Sequence, residues 1–334
     1  MLREMQETNE GRPFNAQLRE GKDMPYPLLH IESERGIREI PVFSVRNPDH
    51  HRLIAEHIVS GDVGVFGVGV IGILKAIPRD SVNESEGKKT FWEIKKGRKL
   101  EDKVPMMMLP EHHSKIVDYD KVHPDFAYLK DPEKRRKFYG TIPFHTILPL
   151  AEGAKINKSV FVTTFEDSKK KPLDQQSSIP TVCVFFSGGD KAWESIAQLA
   201  YSINPDVHLG ISSLNDHGEH SPYDFDELKE YINKKKEADF DFVVDDPIVA
   251  KYKIRSSMTI IRLPQVGESP EITIVRKGSI GTDTLRRHME DMKDGGHLIR
   301  ELASAKFASH GHPEDVRLKG LDDKVIQYLR EINS

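Results

Sequence analysis

Four short segments of this chain carry the side chains that a phosphorylated ligand demands. Lys96-Gly97-Arg98 offers two cations, Ser213-Leu214-Asn215 a hydroxyl and an amide, Ser256-Ser257-Met258-Thr259 three hydroxyls, and Arg276-Lys277-Gly278 two further cations. Ammonium and guanidinium groups neutralise phosphate oxygens, the guanidinium as a planar two-pronged donor, while hydroxyls and amides hold ribose and phosphate oxygens in place. Lys95-Lys96-Gly97-Arg98 alone would read as a solvated charge run. Taken with the other three segments, each near a strand end, it fits the chemistry of a triphosphate and ribose.

Other segments compete with this set. Gly67-Val68-Gly69-Val70-Ile71-Gly72 matches the dinucleotide fingerprint G-x-G-x-x-G, whose glycines bring backbone close to a pyrophosphate at a helix start. Pro78 follows six residues after Gly72 and the residues between read as strand, so a glycine-rich buried strand is the better reading. Ser187-Gly188-Gly189-Asp190 falls between a strand and a helix, where free N–H groups favour an anion; an ordinary tight turn explains it equally well. The paired histidines, such as His50-His51 and His112-His113, come without the cysteines or ordered carboxylates of a metal set, and no metal site is assigned.

The elements that must position these residues alternate. A helix is expected from Asp49 to about Ser60, then buried strand within Gly61 to Leu74. Val104–Leu109 reads as strand, and so does Ser159–Thr164. The clearest unit is strand Thr181–Phe186, a glycine turn, and a helix opened by Asp190 with Trp193, Ile196, Leu199, Ala200 and Ile203 on one face. His208–Ser212 is a short strand. Ser221-Pro222-Tyr223-Asp224 is expected to open the next helix with a hydroxyl cap. Phe240–Val244, Met258–Leu263 and Glu271–Val275 are further strands, and Leu298–Phe307 and Val325–Ile332 read as helix. This gives a polar extension over residues 1–45, a mixed α/β domain over 46–280, and a helical tail over 281–334 that packs on the domain or a partner.

Bulk properties narrow the function classes. The 334 residues are 37% hydrophobic and 31% charged, which suits a folded chain with polar ends. The formal net charge of −4 leaves no global basic field for nonspecific nucleic-acid binding, although a local basic cleft remains compatible with it. The single cysteine, Cys183, lies in an apolar run, as expected of a buried small hydrophobe in a reducing cytoplasm. No window approaches the ~18 apolar residues of a membrane span, and the N-terminus lacks a signal-peptide core.

In that order and spacing, the four segments resemble the YrdC-like family, which includes threonylcarbamoyl-AMP synthases and the YrdC-like domain of HypF and TobZ carbamoyltransferases. The resemblance spans about residues 48–280. The family's Lys-x-Arg falls on Lys96 and Arg98, its Ser-x-Asn on Ser213 and Asn215, its Ser/Thr-rich strand on Ser257 and Thr259, and its Arg-x-Gly on Arg276 and Gly278. Gly64–Gly72, Pro143-Phe144-His145-Thr146-Ile147-Leu148 and Asp245-Asp246-Pro247 are similar to the HypF-type branch. The resemblance implies an α/β fold, an open twisted mixed sheet with flanking helices around a large cavity. It implies nucleotide binding by Lys96, Arg98, Thr146, Ser213, Asn215, Ser257, Thr259 and Arg276, with Lys96 and Arg98 also catalytic and Gly69 and Gly72 in the substrate pocket. The threonine-using pattern Pro-Thr-Asp-Thr-x-Tyr-Gly is replaced here by Phe66 to Gly72, and Phe185-Phe186-Ser187 stands where the family has Arg-x-Pro.

The first functional reading is therefore an ATP-dependent, adenylate-forming nucleotidyltransferase resembling threonylcarbamoyl-AMP synthase. It would take ATP with Mg²⁺, and bicarbonate plus an amino acid, or carbamoyl phosphate. The product would serve tRNA modification or a separate carbamoyl-transfer protein. A second reading is a YrdC-like module that binds nucleotide, tRNA or double-stranded RNA without turnover. A third, weaker one is a dinucleotide-dependent oxidoreductase.

Overall fold

The Thr181–Ile203 unit shows how the sequence builds the frame. Val182, Val184 and Phe185 are buried in a strand, and the chain then turns through two glycines into a helix. The Asp190 carboxylate accepts the Ala192 N–H at 3.0 Å and so caps the first turn. Trp193, Ile196, Ala197 and Ala200 face the core at helical spacing.

The computed structural model describes residues 15–19, 24–33, 36–67, 70–77, 91–94, 103–171, 176–186, 188–214, 221–236, 238–252, 254, 256–292, 296–303, 305 and 321–334. In chain order its strands are β1 (Asn15–Arg19), β2 (Leu28–Ser33), β3 (Gly36–Ser44), β4 (Gly64–Gly67), β5 (Ile71–Ile77), β6 (Met106–Met107), β7 (Phe144–Pro149), β8 (Val162–Thr163), β9 (Thr181–Phe185), β10 (His208–Ser213), β11 (Phe242–Asp245), β12 (Thr259–Arg262), β13 (Ile272–Arg276) and β14 (Ile299–Glu301). The helices are α1 (Pro48–Val59), α2 (Phe91–Ile94), α3 (Pro132–Tyr139), α4 (Lys158–Phe161), α5 (Phe165–Lys169), α6 (Lys191–Ile203), α7 (Phe225–Lys235), α8 (Pro247–Tyr252), α9 (Thr282–Glu290) and α10 (Leu321–Ile332). Two 3-10 helices, Pro110–Lys115 and Pro124–Lys130, lie between β6 and α3.

These strands join into one mixed sheet in the order β1-β2-β3-β11-β4-β5-β10-β6-β9-β7-β12-β13-β14, with β8 on β9. Parallel pairs (β3 with β11, β7 with β12) are mixed with antiparallel ones (β4 with β5, β7 with β9), as in α/β sheets whose connections cross over through helices. Helices α1 and α6 pack together on the sheet, and the His51 ring meets the Ser195 hydroxyl between them at 3.1 Å.

Several local expectations changed. Strands β1, β2 and β3 form a meander within the expected polar extension, and it continues the sheet through the pairing of β3 with β11. Helix α1 starts at Pro48 and is capped by Asn47, whose side chain accepts the Asp49 N–H. Helix α7 is capped by Asp224, while the Ser221 hydroxyl donates to the Ile71 carbonyl at 2.9 Å and ties that loop to β5. Part of the expected strand at 159–164 is the one-turn helix α4, and part of the expected helix at 298–307 is β14, which pairs with β13. The tail packs on the domain: α10 lies against α8, and Leu285 and Met289 of α9 are buried. Among the described residues no helix is long and apolar enough to cross a membrane.

Candidate functional site

Two rows of cross-strand neighbours define a cleft on one face of the sheet. Phe185, His145, Ile260 and Arg276 are register partners in turn across β9, β7, β12 and β13. Phe66, Gly72 and Ser213 are partners across β4, β5 and β10. Because directly opposed residues project to the same side of a sheet, each row presents one continuous wall. Lys103, Pro105, Val70, Ile211, Ser212, Ser257 and Met258 complete an open cleft.

The lining has a definite chemistry. Its charges are Lys103 and Arg276, its hydroxyls Ser212, Ser213 and Ser257, and its aromatic surfaces Phe66 and Phe185; no carboxylate lines it among the described residues. Arg276 is held by two bonds from Nε and Nη2 to the Met258 carbonyl, at 3.3 and 2.9 Å. Lys103 donates to the Ser159 carbonyl at 3.0 Å and lies 3.8 Å from Asp167. His145 is buried with its ring stacked on Phe185 at 4.9 Å, and Nδ1 lies 3.8 Å from the Cys183 sulfur. Burial, reinforced by the nearby Arg276 charge, lowers His145 to about 3, so the ring is neutral. Burial likewise pushes the Cys183 thiol up to about 12. Cationic and hydroxylic groups beside aromatic faces suit an anionic ligand that also carries a planar or apolar part.

Of the residues singled out from sequence, Gly72, Ser213, Ser257 and Arg276 meet in this cleft. Thr146 and Thr259 do not. Each sits one residue from a lining residue on its strand, and the period of two turns it to the other face. Thr146 is fully buried, and the Thr259 hydroxyl donates to the Ile280 carbonyl at 2.6 Å and accepts the Ile280 N–H at 3.1 Å. Lys96, Arg98, Gly69 and Asn215 lie outside the described residues.

The rival glycine segments take structural roles. Gly67 and Gly72 belong to the β4–β5 hairpin, paired as Gly67 with Ile71 and Phe66 with Gly72. After Gly72 the chain continues as strand to Ile77, so the helix start that a dinucleotide fingerprint requires is missing there. At Gly188 and Gly189, φ is +65° and +84°, and a Cβ would collide with the backbone of Ile142 and Pro143 or with the Gly140 carbonyl. The turn is a close backbone crossing, and its helix N-terminus is already served by Asp190.

Sequence reasoning missed Lys103, His145 and Phe185. The signal for the last two was the strand period. Once Ile147 and Cys183 are taken as facing partners, His145 and Phe185, two residues away on each strand, must share their face.

No family model matches the chain, and no curated protein matches it. Among solved structures it is similar to P. abyssi Sua5 in complex with L-threonine (18% identity, TM-score 0.50, 78% of this chain and 62% of that one). It is similar also to a double variant of P. abyssi Sua5 (16%, TM-score 0.50, 78% and 65%) and to E. coli YciO (15%, TM-score 0.44, 73% and 97%). The fold is YrdC-like. The chain spans less than two thirds of the length of the Sua5 chains, and the low identity makes it a divergent example of the fold.

Proposed function

We propose that this chain binds ATP in the cleft and forms an adenylate from a carbamate-like oxygen nucleophile. The observation that carries the reading is the lining itself. Arg276 and Lys103 supply charge, Ser212, Ser213 and Ser257 supply hydroxyls, and Phe66 and Phe185 supply flat apolar surface. Lys96, Arg98 and Asn215, drawn in from the sequence motifs, would add two cations and an amide.

In this reaction the nucleophile's oxygen forms a new bond to the α-phosphorus. The bond to the bridging oxygen of the β-phosphate breaks, and pyrophosphate leaves with that electron pair. The protein's task is to hold the partners in line and to offset the charge on the leaving phosphates, which needs no covalent nucleophile. Since no carboxylate lines the cleft among the described residues, Mg²⁺ would ride on the ATP phosphates instead of being held by side chains. L-threonine, bound in a Sua5 structure of the same fold, is the first amino acid to try as co-substrate with bicarbonate; carbamoyl phosphate is the alternative. A threonine-derived product would serve tRNA modification, and a carbamoyl-adenylate would pass to a separate transfer protein.

The test is pyrophosphate release from ATP with bicarbonate and L-threonine, or with carbamoyl phosphate. Release is expected with one of these pairs, and Arg276→Met and Lys96→Ala should each lower it at least about tenfold. Failure of release in every combination would overturn the enzymatic reading. The apolar wall of Phe66, Val70 and Gly72 favours the second reading, a nucleotide- or RNA-binding module without turnover. Saturable ATP binding by calorimetry without pyrophosphate release would support it, and salt-sensitive tRNA binding would extend it to RNA.

A further inference from the structure

His145 is the only imidazole among the described residues that line the cleft, and its surroundings constrain it closely. One ring face is covered by Phe185 at 4.9 Å, which leaves little rotational freedom. Nδ1 is engaged by the Cys183 sulfur at 3.8 Å, and no described residue takes Nε2. A neutral imidazole carries one N–H and one bare nitrogen, and the partner of one nitrogen decides what the other can do. A thiol that keeps its proton can donate to a bare Nδ1, and in that arrangement the ring proton sits on Nε2.

We propose that Cys183 fixes the His145 ring as its Nε2–H tautomer, and that this N–H donates to a negatively charged oxygen of the cleft ligand. Cys183 is thus a positioning residue, and His145 reads the ligand by a directed hydrogen bond that adds no charge. That distinguishes it from Arg276, its neighbour two strands away in the same row, which attracts any anion. A neutral donor discriminates by geometry, because an oxygen out of line gains little from it. The second half of the proposal rests on the functional reading above. The oxygen could be a nucleotide phosphoryl oxygen or the carboxylate of the amino acid.

Ring ¹⁵N chemical shifts of the ligand-free protein report which nitrogen bears the proton, with the His145 resonances assigned by their loss in His145→Phe. Nε2 protonated and Nδ1 bare is expected, unchanged in Cys183→Ser, which keeps a donor, and shifted toward Nδ1–H in Cys183→Val. A wild-type ring protonated at Nδ1 would overturn the assignment. Calorimetry with ATP and with L-threonine then tests the donor role. His145→Phe, checked for folding by circular dichroism, should weaken one of them at least about tenfold, and His145→Gln, which retains an N–H at a similar reach, should recover most of the loss. Loss confined to ATP places the N–H on a phosphoryl oxygen, and loss confined to threonine places it on the carboxylate. Undiminished binding of both overturns the donor role. If the wild type binds neither, the functional reading falls, while the tautomer still confirms or overturns the part played by Cys183.

Discussion

Arg46 grips Asp190 through two parallel bonds, Nη1 to Oδ1 at 2.8 Å and Nη2 to Oδ2 at 2.7 Å. The same guanidinium reaches Asp246 through Nε at 3.2 Å and through Nη2, and meets the Tyr328 hydroxyl at 2.8 Å. One partly buried cation thus faces two buried carboxylates, an imbalance that would be costly on its own. The surplus negative charge is placed at helix N-termini. Asp190 caps α6, and Asp246 accepts the Ile248 N–H at 3.0 Å in the first turn of α8, where free N–H groups carry partial positive charge. Tyr328 belongs to α10, so this cluster also fastens the C-terminal helix to the sheet domain.

Arg46→Met should therefore be among the most damaging single substitutions. It leaves two buried carboxylates facing each other, and a loss of about 3–5 kcal/mol is expected in urea unfolding. Tyr328→Phe removes only a hydroxyl that bridges the pair and should cost about 1–2 kcal/mol. Equal effects of the two substitutions would show that Arg46 is not the centre of the cluster.

Acid should weaken the fold earlier than the carboxylate range. Burial lowers both His113 and His145 from 6.5 to about 3, so the unfolded chain takes up these protons first. Their contribution is fully present above pH 6.5 and is lost as pH falls toward 3, each adding up to about 1.4 kcal/mol per pH unit to the slope. Asp245 works in the opposite sense. Burial raises it from 3.8 to about 6, so the folded state takes its proton first and regains stability over that interval. The net expectation is a urea midpoint that declines from pH 7 to pH 5, less steeply in His145→Phe. An equal slope in that variant would remove His145 from the account.

How much of this could be read in advance depended on burial pattern. The Thr181–Ile203 unit was legible because strand, positive-φ turn, cap and helical face all agree, each with its own residue signature. The meander β1-β2-β3 was not, although Leu29, Ile31, Ile40 and Val42 are buried on it. Its outer face is polar, and the glycines and prolines between its strands read as irregular chain. At the cleft, Ser213, Ser257 and Arg276 were legible from chemical type. The exchange of His145 for Thr146 was not, because residue type alone leaves open which of two neighbours faces a ligand. Only register decides that, and register is a tertiary property.

Gly189→Ala tests whether the turn at Gly188 and Gly189 is a backbone crossing or a ligand loop. With φ of +84° and the Gly140 carbonyl in the way, an added methyl forces the α6 N-terminus off its seat. Gly153, with φ of +75° and nothing within 4 Å of its added Cβ, serves as the control. Gly153→Ala should cost about 1–2 kcal/mol from conformation alone, and Gly189→Ala at least about 2 kcal/mol more. Equal costs, with loss of ATP binding only in Gly189→Ala, would restore the turn as a phosphate loop.

Trp193 offers a direct optical view of the cleft. Its ring is buried against Phe66, with centroids 5.0 Å apart and planes at 65°, and Phe66 lines the cleft. A ligand on that wall changes the polarity and packing around Phe66, and through it the environment of the indole. The sequence holds two tryptophans, so Trp92→Phe leaves Trp193 as the lone emitter. In that background an ATP titration should change the emission saturably, with a midpoint equal to the dissociation constant from calorimetry. Phe66→Leu should reduce the amplitude while leaving the protein folded, since a smaller side chain on a strand between two packed neighbours costs about 1–3 kcal/mol. Calorimetric binding with a silent Trp193 would put the nucleotide at the Arg276 end of the cleft and leave the Phe66 wall to the second substrate.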